Sequence, residues 1–206
     1  MSIKRDAASL ICALCIVAGL SVFAIGRVRA STAQYDIDST HSGIVFSWNH
    51  FGFSNPAARF DKIEGRLMID KDDLTKSSIS VVLPAESIDS GIKALDEQLK
   101  GPDLFDARTY PTIEFKSTKV ERTGENGLKV NGELTIRGIT KPVSLDARIN
   151  KFGVFEIPGV IKAETAGFDA TTTIKRSEFG LSRSLPAVGD AILVRITVDA
   201  KQAPVK

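Results

Sequence analysis

Residues Thr112 to Asn150 constrain the fold of this chain more than any other stretch, because apolar and polar side chains alternate through them almost without a break. Ile113 and Phe115 alternate with Glu114 and Lys116. Leu128, Val130, Gly132, Leu134 and Ile136 alternate with Lys129, Asn131, Glu133 and Thr135. Beyond the turn Arg137-Gly138-Ile139-Thr140-Lys141-Pro142, the residues Val143, Leu145, Ala147 and Ile149 alternate with Ser144, Asp146, Arg148 and Asn150. A period of two puts one side-chain set on each face of a strand, so these are strands with one buried and one wet face. Three in succession with short turns predict an antiparallel sheet. Its apolar face must be covered, either by closure on itself or by a second sheet.

The flanking segments extend the pattern. Tyr35 to Asp38 reads as a short opening strand. Ile44, Phe46, Trp48 and His50 share one face of the next, which Gly52 and Asn55-Pro56 end. Phe60 to Ile69 reads as a third strand interrupted near Gly65, and Ser78 to Leu83 as a fourth. Ile92, Leu95 and Leu99 recur at helical spacing between Ser90 and the stop signal Gly101-Pro102. Val160 to Arg176 reads as one long irregular strand or a hairpin. Ile192 to Val198 is the last strand, and Lys201 to Lys206 a frayed tail. About eight strands with one short helix in a single domain suit an antiparallel barrel just wide enough to enclose a small ligand. A sandwich has the same alternation.

The first 33 residues form a separate unit. A short basic start (Lys4, Arg5), an apolar run from Leu10 to Ile25, and small residues at Ser31 and Ala33 have the layout of a secretory signal peptide, cleaved before Gln34. The apolar run also approaches the roughly 18 residues needed for a membrane anchor. Removing the leader's Lys4, Arg5, Arg27, Arg29 and Asp6 from 27 basic and 25 acidic residues leaves 23 and 24, a net charge of −1. Charge therefore predicts no nucleic-acid partner. Cys12 and Cys15 leave with the leader, so the domain from Gln34 to Lys206 has no disulfide and no thiolate. The leader predicts export, and a periplasmic location is the expectation for the domain.

As a set, several of these residues resemble the YceI-like family of exported, lipocalin-like polyisoprenoid-binding proteins. The resemblance runs over nearly all of Tyr35 to Ala200. It is carried by Asp38-x-x-His41-Ser42, Phe46, His50, Ser87-Ile88, Asp103-Leu104-Phe105-Asp106, and Tyr110-Pro111-x-Ile113-x-Phe115-x-Ser117-Thr118. It continues through Asn131-Gly132-x-Leu134-Thr135-Ile136-x-Gly138-Ile139-Thr140-Lys141-Pro142-Val143, Arg176-x-x-Phe179-Gly180 and Gly189-Asp190. Where the family tends to carry Arg-Asp-Glu-His-Leu, this chain has Leu95-Asp96-Glu97-Gln98-Leu99. Where many relatives have glycine, the loop Phe53 to Phe60 has Ser54-Asn55-Pro56-Ala57-Ala58. The resemblance implies a lipocalin-like barrel that stores or transports a long isoprenoid lipid or quinone, with no established enzymatic activity and no cofactor. A transient contact with a membrane or membrane protein, and a homodimer, are compatible with it.

A lipid carrier needs an apolar channel with a polar mouth. Phe46, Trp48, Phe115, Leu134 and Ile136 are the predicted lining, with Phe60 and Phe105 near one end. Burying ten methylenes contributes roughly 8 kcal/mol gross, before association costs reduce it. The same side chains could instead fill a solid core, giving an interaction module without cargo. Arg176 could meet a polar head group or hold a loop through its carbonyls. His50 could face a head group, and His41 could cap local backbone. With Asp38 as the nearest carboxylate, better suited to stabilising its own turn, the two histidines make a poor metal site. Asp96 and Glu97 point to different sides of the helix and read as a solvated face, not an acid–base pair. There is no Gly-x-Ser-x-Gly, His-Glu-x-x-His, phosphate loop or dinucleotide fingerprint. A stress-linked enzyme using His41 or His50 is the rival from another class.

Overall fold

The computed structural model describes residues 32–204; the predicted leader with Cys12 and Cys15, up to Ser31, and the last two tail residues lie outside the described residues. Eleven strands form one sheet: β1 (Thr32–Ile37), β2 (Gly43–His50), β3 (Ala57–Phe60), β4 (Glu64–Asp70), β5 (Ser78–Pro84), β6 (Ile88–Asp89), β7 (Thr112–Arg122), β8 (Gly127–Ile136), β9 (Ile139–Ile157), β10 (Ile161–Lys175) and β11 (Val188–Gln202). Among the described residues one α-helix, α1 (Lys93–Lys100), lies between β6 and β7. Eight strands, in the order β1-β4-β5-β7-β8-β9-β10-β11, close into an antiparallel barrel through the β1–β11 pairing, while β2, β3 and β6 extend the sheet from β11.

The closure depends on one corner. The same edge of β11 pairs with β1 over Ala200–Gln202 and with β2 over Val188–Thr197. Between them Asp38 turns the chain. Its backbone N–H donates to the Asp199 carbonyl at 2.8 Å, and the Ser42 hydroxyl bridges the Asp199 carbonyl and N–H at 3.1 and 3.0 Å. The Asp38 carboxylate accepts from Thr40 N–H (3.0 Å), Thr40 Oγ1 (2.6 Å) and Lys201 Nζ (2.5 Å), and pairs with His41 Nδ1 at 2.9 Å. The Lys201 ammonium, then Thr40 and His41, hold this carboxyl well below the usual carboxylate range. A depressed folded-state pKa stabilises above the unfolded value of about 4 and is lost as pH falls through the folded value. Asp38→Asn is therefore expected to lower stability by about 2 kcal/mol at pH 7, with the gap to the parent closing below about pH 4. Denaturant melts at several pH values check this; a gap constant from pH 7 to 2 would exclude the carboxylate as its source.

The structure changes several boundaries. The expected third strand is two: β3 pairs with β2, and β4 with β1 and β5. The break falls at Asp61–Ile63, where Ile63 turns inward to 4% exposure, not at Gly65. Gly65 lies within β4, where a Cβ would approach the Ser80 carbonyl oxygen to 2.6 Å. Val160 to Arg176 forms no hairpin by itself. It supplies β10, paired from Ile161 to Thr171 with β9, which runs well past Asn150, and from Thr165 to Lys175 with β11. Opposite Gly167/Phe168 the pairing skips Asn150, a bulge on β9 that turns Ile149 and then Phe152 inward, while β10 keeps Ala166, Phe168, Ala170, Thr172 and Ile174 on one face. The tail is ordered further than expected, since Lys201 and Gln202 pair with Asp36 and Tyr35. At the other terminus β1 starts at Thr32, ahead of the expected cleavage point, with Ala33 opposite Ile69.

Asp96 is also not simply solvated. It accepts from the Ser90 N–H at 2.7 Å and the Ser90 hydroxyl at 2.6 Å, which holds its carboxyl below the ordinary value and fastens the start of α1. Glu97 is exposed.

Two apolar clusters occupy opposite halves of the interior. One is built around Phe46, Phe60, Ile88, Leu99, Ile113 and Phe179, the other around Tyr35, Leu67, Ile69, Val120, Val130 and Ile149. Between and along them the barrel is hollow.

Candidate ligand cavity

The hollow has a volume of about 640 Å³, within the range of small-molecule sites. Its wall follows the alternation. β8 contributes Leu128, Val130, Leu134 and Ile136, β9 Val143, Leu145 and Ala147, and β11 Ile192, Val194, Ile196 and Val198. From Leu128 to Ile136 the strand advances about 27 Å, or about 20 Å along the axis at the tilt of a small barrel. The cavity is therefore elongated.

Its two ends differ. Tyr35, Ile149, Ala166 and Ala200, each 8% exposed or less, pack the far end. The mouth is ringed by His50, Phe51 and Pro56 after β2, Ile92, Leu95 and Gln98 on or beside α1, Leu104 and Phe105 after it, and Arg183, Ser184 and Val188 before β11. Just inside, four aromatic rings pack against one another, tilted or edge-on. Phe46 lies 5.9 Å from Trp48, 5.4 Å from Phe60 and 5.8 Å from Phe105, and Phe60 lies 6.3 Å from Phe105. Deeper in, the Phe115 ring covers Gly132, where an added Cβ would come within 2.5 Å of it. Only glycine lets an aromatic side chain lie flat against the β8 backbone at that point.

Every lining residue predicted from the sequence borders this cavity: Phe46, Trp48, His50, Phe60, Phe105, Phe115, Leu134, Ile136 and Arg176. The cavity brings them together from six separate segments of the chain. His50 is exposed at the mouth, its ring edge-on to Phe51 at 4.8 Å. His41 is at the opposite end of β2, bonded to Asp38, so the two histidines do not meet. Among the described residues no cluster of three or more His, Cys, Asp or Glu side chains has metal-site geometry.

Arg176 is 7% exposed and serves the loop. Its Nε donates to the Gly189 carbonyl (2.8 Å), Nη1 to Leu181 (2.5 Å), and Nη2 to Arg183 (3.0 Å) and Val188 (2.8 Å). Four of its five N–H directions hold the segment before β11 against the barrel, so the loop-holding alternative describes its bonds. Burial lowers the guanidinium pKa, opposed by Asp190, itself fixed by the Ser177 N–H at 2.9 Å and hydroxyl at 2.8 Å. An exposed Arg183–Asp103 ion pair links this loop to the segment after α1 across the mouth.

Lining residues outside the sequence prediction include Leu67, Ile69, Leu74, Val120, Val143, Leu145 and Phe168. The β9 pair was visible in the alternation. Phe168 lies on a strand whose inward positions also carry Ala170 and Thr172, which give little apolar contrast, and Leu74 enters from a single 3-10 turn (Leu74–Lys76) without periodicity.

The YceI-like domain profile matches residues 35–200, essentially the whole barrel. The chain belongs to the YceI-like family. A UPF0312 protein of Vibrio cholerae serotype O1 is 35% identical over 154 residues, covering 74% of this chain and 79% of that protein. A UPF0312 protein of Pseudomonas putida strain W619 is 32% identical over 163 residues, covering 79% and 83%. Among solved structures, Burkholderia cenocepacia BcnA superposes with a TM-score of 0.71 at 25% identity, over 80% of this chain and 99% of that one. The Campylobacter jejuni YCEI protein gives 0.67 at 28%, over 76% and 90%. A polyisoprenoid binding domain from Saccharophagus degradans gives 0.62 at 15%, over 82% and 98%, a likeness of fold. The barrel fold is thus shared with these solved structures, and in this chain it encloses an elongated apolar cavity.

Proposed function

We propose that this YceI-like protein is an exported carrier that holds a long apolar lipid, a polyisoprenoid or isoprenoid quinone, within its barrel for storage or transport across the periplasm. The carrying observation is the cavity's shape and chemistry: elongated, apolar along its wall, packed at one end and open at the other. Such a site binds by removing a hydrocarbon tail from water and needs no strong polar contact along its length. The family membership and the structural likeness to a domain described as polyisoprenoid binding support the class of cargo. Binding fits better than catalysis. Arg176 is held by carbonyls, and the exposed His50 at the mouth has no His41 beside it. The leader read in the sequence supports the periplasmic location.

Native mass spectrometry of protein purified from its own periplasm, followed by organic extraction, tests the proposal. One isoprenoid lipid per barrel is the expected result. A ligand-free protein that also refuses added quinones and polyprenols would overturn it in favour of an interaction module.

A further inference from the structure

The loop between β2 and β3 presents aromatic side chains to solvent at the cavity mouth. Phe53 is 90% exposed, Phe51 52% and the neighbouring rim residue Ile92 60%. Phe51 and Ile92 border the cavity, while Phe53 stands outside it. The loop is pinned by backbone bonds. Phe51 N–H donates to the Ala187 carbonyl (2.9 Å), Phe53 N–H to His50 (3.0 Å) and His50 N–H to Ser54 (2.8 Å), while Gly52 N–H reaches Asn49 Oδ1 (2.8 Å). Phe51 adopts a φ of 54°, which bulky residues rarely accept. Such conformations persist where the surroundings enforce them, and they gather at functional positions. The aromatic rim is therefore built into the fold.

The chemistry around the rim selects its partner. From Ser39 to Ala58 there is no Lys, Arg, Asp or Glu, and none occurs from Ser184 to Gly189, the loop that receives the Phe51 bond. Moving these two loops out of water desolvates no permanent charge, while the charged groups of the mouth, the exposed Arg183–Asp103 pair and Lys93 beside Ile92, remain in the hydrated headgroup layer. Phenylalanine side chains on such a surface partition into the headgroup boundary of a bilayer. The other exposed apolar group (Val154, Phe155, Ile157 and Val160 at the β9–β10 tip) lies at the packed end and is interleaved with Lys151, Glu156, Lys162 and Glu164.

We infer that the Phe51–Phe53 loop and Ile92 dock the barrel mouth-down on a phospholipid bilayer, so that cargo passes between membrane and cavity without crossing water. The occupant is the lipid surface itself, because a water-exposed junction with a soluble partner would return the tail to water. The inference rests on the carrier reading, and its test separates the two by using cargo-free vesicles.

The test is flotation of the full protein with vesicles of phosphatidylethanolamine and phosphatidylglycerol. The protein co-floats, Phe53→Ser weakens partitioning by about tenfold or more, and Val160→Ser at the far end leaves it unchanged. Absence of flotation, equal flotation of Phe53→Ser, or an equal loss with Val160→Ser would each overturn the inference. So would a wild-type dimer in sedimentation that Phe53→Ser converts to monomer without any vesicle binding, which would make the rim a self-association surface. Lipid extracted from the same preparations reports on the carrier reading independently, since docking can fail while cargo is present.

Discussion

Trp48→Glu is expected to empty the barrel of the lipid proposed for it. Trp48 is half-buried just inside the mouth, with its ring 5.9 Å from Phe46 and one face on the cavity. In the unliganded protein a carboxylate there stays hydrated through the open end, so the fold survives. When an apolar tail enters, that water must leave, and stripping an unpaired carboxylate costs several kcal/mol or forces its protonation. At about 1.4 kcal/mol per tenfold, affinity falls roughly a hundredfold or more at neutral pH. The measurement is lipid per protein by extraction, with circular dichroism to show the barrel intact. Unchanged lipid content in a folded variant would remove the basis of the carrier proposal. Phe115→Glu blocks the cavity deeper, but it also strips the cover from Gly132, so Trp48 gives the cleaner result.

The second large effect is on stability. Arg176→Met keeps an unbranched side chain but withdraws every donor from the carbonyls of Leu181, Arg183, Val188 and Gly189. Each acceptor left buried without a donor costs about 1–3 kcal/mol, relieved in part as water enters the loosened loop. A net loss of about 3–4 kcal/mol in denaturant unfolding is expected. Arg176→Lys recovers only part of it, because three donors on one nitrogen cannot reproduce a planar fork aimed at separate carbonyls. Full stability in Arg176→Met together with lost lipid would instead assign the guanidinium to the head group.

The barrel was legible because its physics is local. In β8, in β9 from Val143 to Ile149 and in β11 from Ile192, an inward residue at every second position, apolar or at Gly132 small, declares which face is inside; β7 keeps the pattern only at Ile113 and Phe115, before its bulge at Ser117/Lys119 turns Val120 inward. Legibility failed where a longer-range event intervened. A bulge at Asn150 reverses the phase of β9 before Phe152, and the inward face of β10 mixes Ala166, Ala170 and Thr172 with Phe168 and Ile174, leaving little apolar contrast to read. The split of Phe60 to Ile69 is set by which strands β3 and β4 pair with, and nothing within that segment states it. The donors of Arg176 were ambiguous because their acceptors lie 5 to 13 residues away, in a loop without a periodic signal.

By itself, the sequence determined the side-chain sorting of β8, β11 and the Val143–Ile149 part of β9: which of their residues turn inward, that these are almost all apolar, and that the wall forms an antiparallel sheet. The period of two is a property of the extended backbone and needs no tertiary contact to be read. Only the tertiary structure decided that the sheet closes through β1 and β11 at the Asp38 corner, and that the interior is hollow with one packed and one open end. Closure and cavity depend on register, tilt and the summed volumes of side chains brought together from distant segments. A solid core and a lipid channel have the same alternation, and only their packing distinguishes them.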